Sequence, residues 1–304
     1  MKILILGAGG IGGYFGAHLI RAGADITYLV RDKRKALLDA NGLTIQTPTE
    51  AFVVQPQTIT ASSAQPIYDL IILAPKSYDL EDALRSLQGA LGHGLVLPLL
   101  NGLDHLDLLD RQLGRERVLG GVAHIAATMS ADGSVRRLTD LHRLTVGPRH
   151  DLQRDIAQAF WSLCQKAPFE SVLTDDIEQA LWDKWVFLAT LAGMTTLCRG
   201  SVGQIVATDY GLQVTTSLYQ ECLAIAKRSG HAIAAETSDK ALAILTAKGS
   251  SFTASMLRDL QAGQPTEHDH ILGAMVRRGL ALNCLSPLMM LAHTHLQVQA
   301  SIRN

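Results

Sequence analysis

Residues 1–30, MKILILGAGGIGGYFGAHLIRAGADITYLV, decide the fold. An apolar run from Lys2 to Leu6 turns directly into Gly7, Gly9 and Gly12, then into a helical stretch through Tyr14, Phe15, Ala17, Leu19 and Ile20. Gly16 allows close packing, Gly23 supplies a helix stop, and a second apolar run follows from Asp25 to Val30. Glycine-rich turns also join ordinary strands to helices, so the triplet alone is weak. Its surroundings decide, because they complete a strand–helix–strand unit of roughly 30 residues. In that setting a tight glycine turn lets backbone approach a pyrophosphate. The helix start offers unpaired N–H groups and the positive end of a dipole. Gly7, Gly9 and Gly12 are therefore candidate cofactor contacts, and the unit reads as dinucleotide-binding.

The residue after the second strand is Arg31, at the place that faces an adenine ribose about 20 residues beyond the glycines. A guanidinium can grip a 2′-phosphate with paired hydrogen bonds, whereas an acidic residue would repel it. Arg31 thus favours NADPH/NADP over NAD. Asp32 adjoins it, and a solvated loop charge is the other reading.

Composition bounds the rest. A chain of 304 residues, 47% hydrophobic, can bury a core in each of two domains. A net charge of −1 without a basic block argues against a nucleic-acid surface, leaving a small molecule as the expected partner. Cys164, Cys198, Cys222 and Cys284 are widely spaced and read as reduced, mostly buried thiols. Glycines interrupt the N-terminal apolar segment too soon for a secretion signal, and Trp185 to Cys198 is too short to span a bilayer. The expectation is a soluble cytoplasmic protein with no membrane partner.

The N-terminal half alternates apolar runs with helical segments, the pattern of a mostly parallel sheet covered by helices. Asp69 to Ala74 reads as a central strand, followed by Pro75-Lys76-Ser77 and a helix from about Tyr78 to Leu91. Gly94 to Leu100 reads as another strand despite Pro98, and delivers Asn101 and Gly102. Ligands bind at the carboxyl ends of such strands, which places Lys76 and Asn101 near cofactor and substrate. Asn-Gly is also a turn signal in its own right. Arg117 to Gly147 is expected to add antiparallel strands at the sheet edge. A helix from about Leu152 to Lys166 and a strand Phe169 to Leu173 would complete the domain. From Thr174, a plausible N-cap, the chain reads as helical. The fold class is α/β: a Rossmann-like dinucleotide-binding domain, residues 1–174, then an all-helical substrate domain, residues 175–304. A substrate cleft between the two is expected.

The helix from about Ile177 to Leu197 is apolar almost all round, which indicates burial, and Lys184 interrupts it. An ammonium there either snorkels outward or stands in a cleft, where desolvation would lower its pKa and suit it to proton donation.

Together, Gly7, Gly9 and Gly12, Arg31, Pro75-Lys76-Ser77-Tyr78-Asp79, Leu100-Asn101-Gly102, Trp182-Asp183-Lys184-Trp185 and Ser255-Met256-Leu257-Arg258-Asp259 with Pro265-Thr266-Glu267 resemble the ketopantoate reductase (2-dehydropantoate 2-reductase) family. The match runs in order over essentially the whole chain. The resemblance implies NADPH-dependent reduction of a 2-oxo acid, ketopantoate to pantoate in pantothenate biosynthesis. It implies Arg31 and Lys76 at the 2′-phosphate end and Asn101 at the nicotinamide and substrate side. Lys184 would be the catalytic lysine, Ser255 a substrate-binding serine, and Glu267 the acid near the catalytic centre. Ser255 as a helix-start serine and Glu267 as a solvated carboxylate are the other readings.

The family's helix carries asparagines one and two turns after the lysine, and this chain has Leu188 and Ala192. A more apolar 2-oxo acid is therefore an alternative substrate, and a non-enzymatic NADP(H)-binding redox sensor an alternative role. His268 with His270, and His293 with His295, lack the four-residue spacing of a helical metal motif, so no metal is expected. His124 and His142 receive no role. Oligomeric state stays open, with the apolar helical domain as the candidate interface of a homodimer.

Overall fold

The first strand, β1 (Lys2–Leu6), leads through Gly7 into α1 (Gly10–Arg21), and β2 (Asp25–Leu29) returns parallel to β1 with Tyr28 opposite Ile5. Glycine is required at two kinds of place here. Gly7 has φ +101°, and a Cβ on Gly12 would collide with the Gly7 carbonyl oxygen. A Cβ on Gly16 would collide with the Tyr28 hydroxyl. That hydroxyl is fully buried and donates to the carbonyls of Gly12 (3.1 Å) and Gly13 (3.4 Å), pinning the first turn of α1 to β2.

The computed structural model describes residues 1–302. After α2 (Asp32–Asn41) come β3 (Leu43–Gln46), β4 (Ala51–Val54), β5 (Gln57–Ile59), β6 (Leu70–Leu73), α3 (Leu80–Leu87), β7 (Leu95–Pro98) and α4 (Asp104–Leu113). Then follow β8 (Gly120–Met129), β9 (Val135–Gly147), α5 (Arg154–Cys164) and β10 (Glu170–Leu173). One sheet is wholly parallel in the order β5-β2-β1-β6-β7, a doubly wound arrangement. Pro98 is tolerated because β7 is its edge strand.

The segment from Arg117 to Gly147 does form an antiparallel pair, β8 with β9, but not at the edge of that sheet. It belongs to a second sheet, β10-β9-β3-β4, with β8 on β9. The reason lies in α1, whose Tyr14, Phe15, Ala17 and Leu19 are all buried. A helix apolar on both sides needs a second cover, which β3, β8 and β9 supply. Two helix boundaries also differ from expectation. Ser77–Asp79 is a 3₁₀ turn, and α3 covers only Leu80–Leu87, stopping before Gly89. Thr174 accepts from the Asp176 N–H (3.1 Å) in a turn, and the next helix starts later, at Ile177.

The remaining elements are α6 (Ile177–Cys198), α7 (Val202–Val206), α8 (Gly211–Arg228), α9 (Ala235–Leu245) and α10 (Ser255–Gln261). A π-helical turn, Asp269–Gly273, runs into α11 (Ala274–Ala281), and α12 (Pro287–Ser301) follows. In α6, Leu181, Trp182, Trp185, Val186, Ala189, Leu191, Ala192 and Met194 are buried. Its buried threonines donate back to helix carbonyls, Thr190 to Val186 (2.9 Å) and Thr195 to Leu191 (2.7 Å), so no hydroxyl is stranded there. Asp183, Lys184, Phe187 and Leu188 form the partly exposed stripe. Among the described residues no helix is long and apolar enough to cross a membrane.

The chain divides into two compact units. One comprises Met1–Leu100 and His105–Glu178; the other comprises Asn101–Asp104 and the chain from Gln179 onward.

Candidate active site

In the first unit, the glycine turn leads from β1 into the start of α1. Gly9 takes the N-cap place of α1 and brings no side-chain cap to the first N–H groups of the helix. A Cβ on Gly9 would meet nothing within 4 Å, which marks open space in front of the helix. Arg34 adds a contact that sequence reasoning missed: its Nη2 donates to the Ala8 carbonyl (2.9 Å), bracing the turn from α2. Its place on the first turn of α2 gives no signal of that reach.

Arg31 takes the N-cap place of α2, just beyond the carboxyl end of β2, and Lys76 follows β6. The Arg31 guanidinium is exposed and lies 3.6 Å from the Asp79 carboxylate, so the structure brings Arg31 beside the segment that carries Lys76. An exposed pair of this kind is weakly held and yields readily to a stronger anion.

The second unit holds the other candidates. Lys184 projects from the partly exposed stripe of α6, and its Nζ donates to Asn101 Oδ1 at 3.0 Å. Burial pulls the Lys184 pKa down to about 8, against the opposing pull of the Glu267 carboxylate. Glu267 is 6% exposed, which rules against a solvated helix carboxylate. Lys184, Asn101 and Glu267 thus form one electrostatic group. Ser255 is the first residue of α10, with Ala254 in the cap place before it. Phe252, three residues earlier, stacks on Phe187 of α6 with 6.4 Å between centroids, which ties the approach to Ser255 to the helix carrying Lys184.

Beneath this group runs the π-helical turn. Trp185, next to Lys184, donates its indole N–H to the Ile271 carbonyl (3.1 Å), and the Ile271 N–H bonds to the Glu267 carbonyl (3.0 Å). His268 meets His293, 5.6 Å between ring centroids, a pairing between elements that spacing within one helix does not reveal. Among the described residues no group of three or more His, Cys, Asp or Glu is placed to hold a metal ion. All four cysteines are free; Cys198 is exposed, while burial pushes the Cys164 and Cys222 thiols up to about 12.

Comparison with known proteins finds one family over most of the chain. The family model for ketopantoate reductase PanE/ApbA matches residues 3–151, and the model for that family's C-terminal part matches residues 176–299. An uncharacterized oxidoreductase, YkpB of Bacillus subtilis, is 29% identical over 299 residues, covering 98% of each chain. The 2-dehydropantoate 2-reductase of Pyrococcus horikoshii is 27% identical, covering 99% of this chain and 98% of its own. Among solved structures, a PanE/ApbA family ketopantoate reductase from Ralstonia eutropha superposes with a TM-score of 0.89 at 26% identity, covering 100% of this chain and 99% of its own.

Proposed function

The chain belongs to the ketopantoate reductase family and is an oxidoreductase, and on that footing we propose that it reduces a 2-oxo acid with NADPH. The open helix start at Gly9 and the forced glycines at positions 7 and 12 suit the dinucleotide, which supplies the hydride when bound. Arg31 and Lys76 would hold its 2′-phosphate, a reading supported by the exposed guanidinium beside the Lys76 segment.

The observation that carries the proposal is the 3.0 Å bond from Lys184 to Asn101 with Glu267 alongside. As negative charge grows on the substrate carbonyl oxygen, the Lys184 ammonium stabilises it and then donates a proton. Asn101 accepts one of the three ammonium hydrogens, which orients the other two. Glu267 favours the ammonium form and so opposes the cost of burying it. Ser255 would hydrogen-bond the substrate.

Ketopantoate is the first substrate to test, and Leu188, partly exposed one turn after Lys184, supports a second reading, whereas Ala192 is fully buried. Leu188 offers no hydrogen bond to a substrate hydroxyl, and a buried unpaired polar group costs about 1–3 kcal/mol. A more apolar 2-oxo acid suits Leu188 better. Steady-state NADPH oxidation against ketopantoate and a panel of apolar 2-oxo acids decides, with Lys184→Ala as the control. Turnover abolished in the variant upholds the reductase, and the preferred acid selects between the two substrates. NADPH binding without turnover of any acid would overturn it in favour of a redox sensor.

A further inference from the structure

Asn101 bonds Lys184, and the segment that bears Asn101, Asn101–Asp104, is a short turn that ends on the first residue of α4. His270 of the π-helical turn and Arg277 of α11 fasten it. Gly102, at φ +77°, lies flush on His270: a Cβ there would stand 2.8 Å from the His270 carbonyl oxygen and 3.0 Å from its ring. At the far end of the turn, Arg277 Nη2 donates to Asp104 Oδ2 (3.0 Å) and to the Asp269 carbonyl (3.2 Å), while Nη1 donates to Asp269 Oδ1 (2.8 Å). One guanidinium thus joins the turn to the start of the π-helix.

We propose that Arg277 and His270 are positioning residues for this reaction: they clamp the Asn101–Asp104 turn onto the π-helical segment and so hold Asn101 Oδ1 at Lys184 Nζ. The inference rests on the catalytic reading of Lys184. The π-helix suits the task because it is fastened on both flanks. Trp185 grips its Ile271 carbonyl from the side of Lys184, and His270 with Arg277 grips the turn of Asn101. Glu267 enters it directly. The three groups of the site are therefore referred to one short segment. Gly273 leaves the room this needs, since a Cβ there would meet Asp269 Oδ1 at 2.5 Å, His293 Nε2 at 2.8 Å and Arg277 Nη1 at 3.0 Å. Burial lowers the His270 pKa, with Asp104, Glu267 and Asp269 opposing and Arg277 assisting, so the ring packs neutral.

A half-exposed ion pair such as Arg277 with Asp104 contributes little to stability, whereas a displaced catalytic group costs much in rate. That difference makes the clamp testable. Arg277→Met in the full-length protein is expected to lower kcat about 10-fold while KM for NADPH and Tm stay near those of the unaltered protein. Asp104→Asn repeats the test from the other end should Arg277→Met fold poorly. In a double-mutant cycle with Asn101→Ala the two losses should not multiply, because both act through one contact. A readout independent of turnover is the pH midpoint for acetic anhydride labelling of Lys184, followed by mass spectrometry. Losing the Asn101 acceptor disfavours the ammonium, so the midpoint should fall in Arg277→Met. Multiplying losses or an unmoved midpoint would overturn the clamp. If the unaltered protein turns over no 2-oxo acid, the reductase reading fails and the labelling midpoint still decides the clamp.

Discussion

In the proposed reaction Lys184 must carry a proton to give one, and its buried setting pulls its pKa down to about 8. The free enzyme's kcat/KM should therefore be full below that pH and fall as pH rises through it. Removing the neighbouring anion with Glu267→Gln disfavours the ammonium further, so the falling limb should move to lower pH; a limb that stays put would separate Glu267 from Lys184. At the cofactor end, Arg31→Ala should reduce the preference for NADPH over NADH, read as the ratio of their kcat/KM values, and an unchanged ratio would remove Arg31 from the 2′-phosphate. Individual candidate residues could be picked out from the sequence because each breaks a pattern: Lys184 interrupts an apolar helix, and Asn101-Gly102 follows a strand. Their meeting could not, since 83 positions separate Lys184 from Asn101 and no local spacing encodes that contact.

Among the elements, α1 shows where sequence patterning runs short. Its glycines and its exit at Gly23 are readable, but the sheet that covers its second side is built from the short strands β3 and β4 and the long pair β8 and β9. Each pair is a local hairpin, but the two join only where β3 lies beside β9, far away in sequence, so periodicity alone locates the strands without assigning them to a sheet. This packing also buries His18, at 2% exposure, edge-on to Tyr14 and Phe52, while Tyr14 bonds His142 at 2.7 Å. Burial, with Arg21 adding to it, holds the His18 pKa down to about 4. The unfolded chain then binds the extra proton first as pH falls. Stability from this site is complete above about 6.5 and is lost as pH falls toward 4. His18→Leu should flatten the decline of Tm over that interval, and an equally steep decline would place the sensitivity elsewhere. In α6 the two departures from the family pattern differ in setting, Leu188 being partly exposed and Ala192 fully buried. Leu188→Asn should raise kcat/KM for ketopantoate relative to apolar acids, by about 10-fold if one hydrogen bond to a hydroxyl is gained. No change in that ratio would show that position 188 does not meet the substrate.

At the scale of the whole molecule, an α/β half followed by a helical half could be read from the alternation of apolar runs and its cessation after the last strand. The reassignment of Asn101–Asp104 could not, because a four-residue excursion leaves no compositional mark. It means that the backbone changes units at Leu100/Asn101, at Asp104/His105 and at Glu178/Gln179. Modularity suffers accordingly. A single genetic crossover near codon 178 between two relatives would give a hybrid whose lysine descends from one parent and whose asparagine, with Asp104 of its clamp, descends from the other. Such hybrids should fold yet turn over slowly unless residues 101–104 travel with the C-terminal parent, read as kcat beside an unchanged Tm.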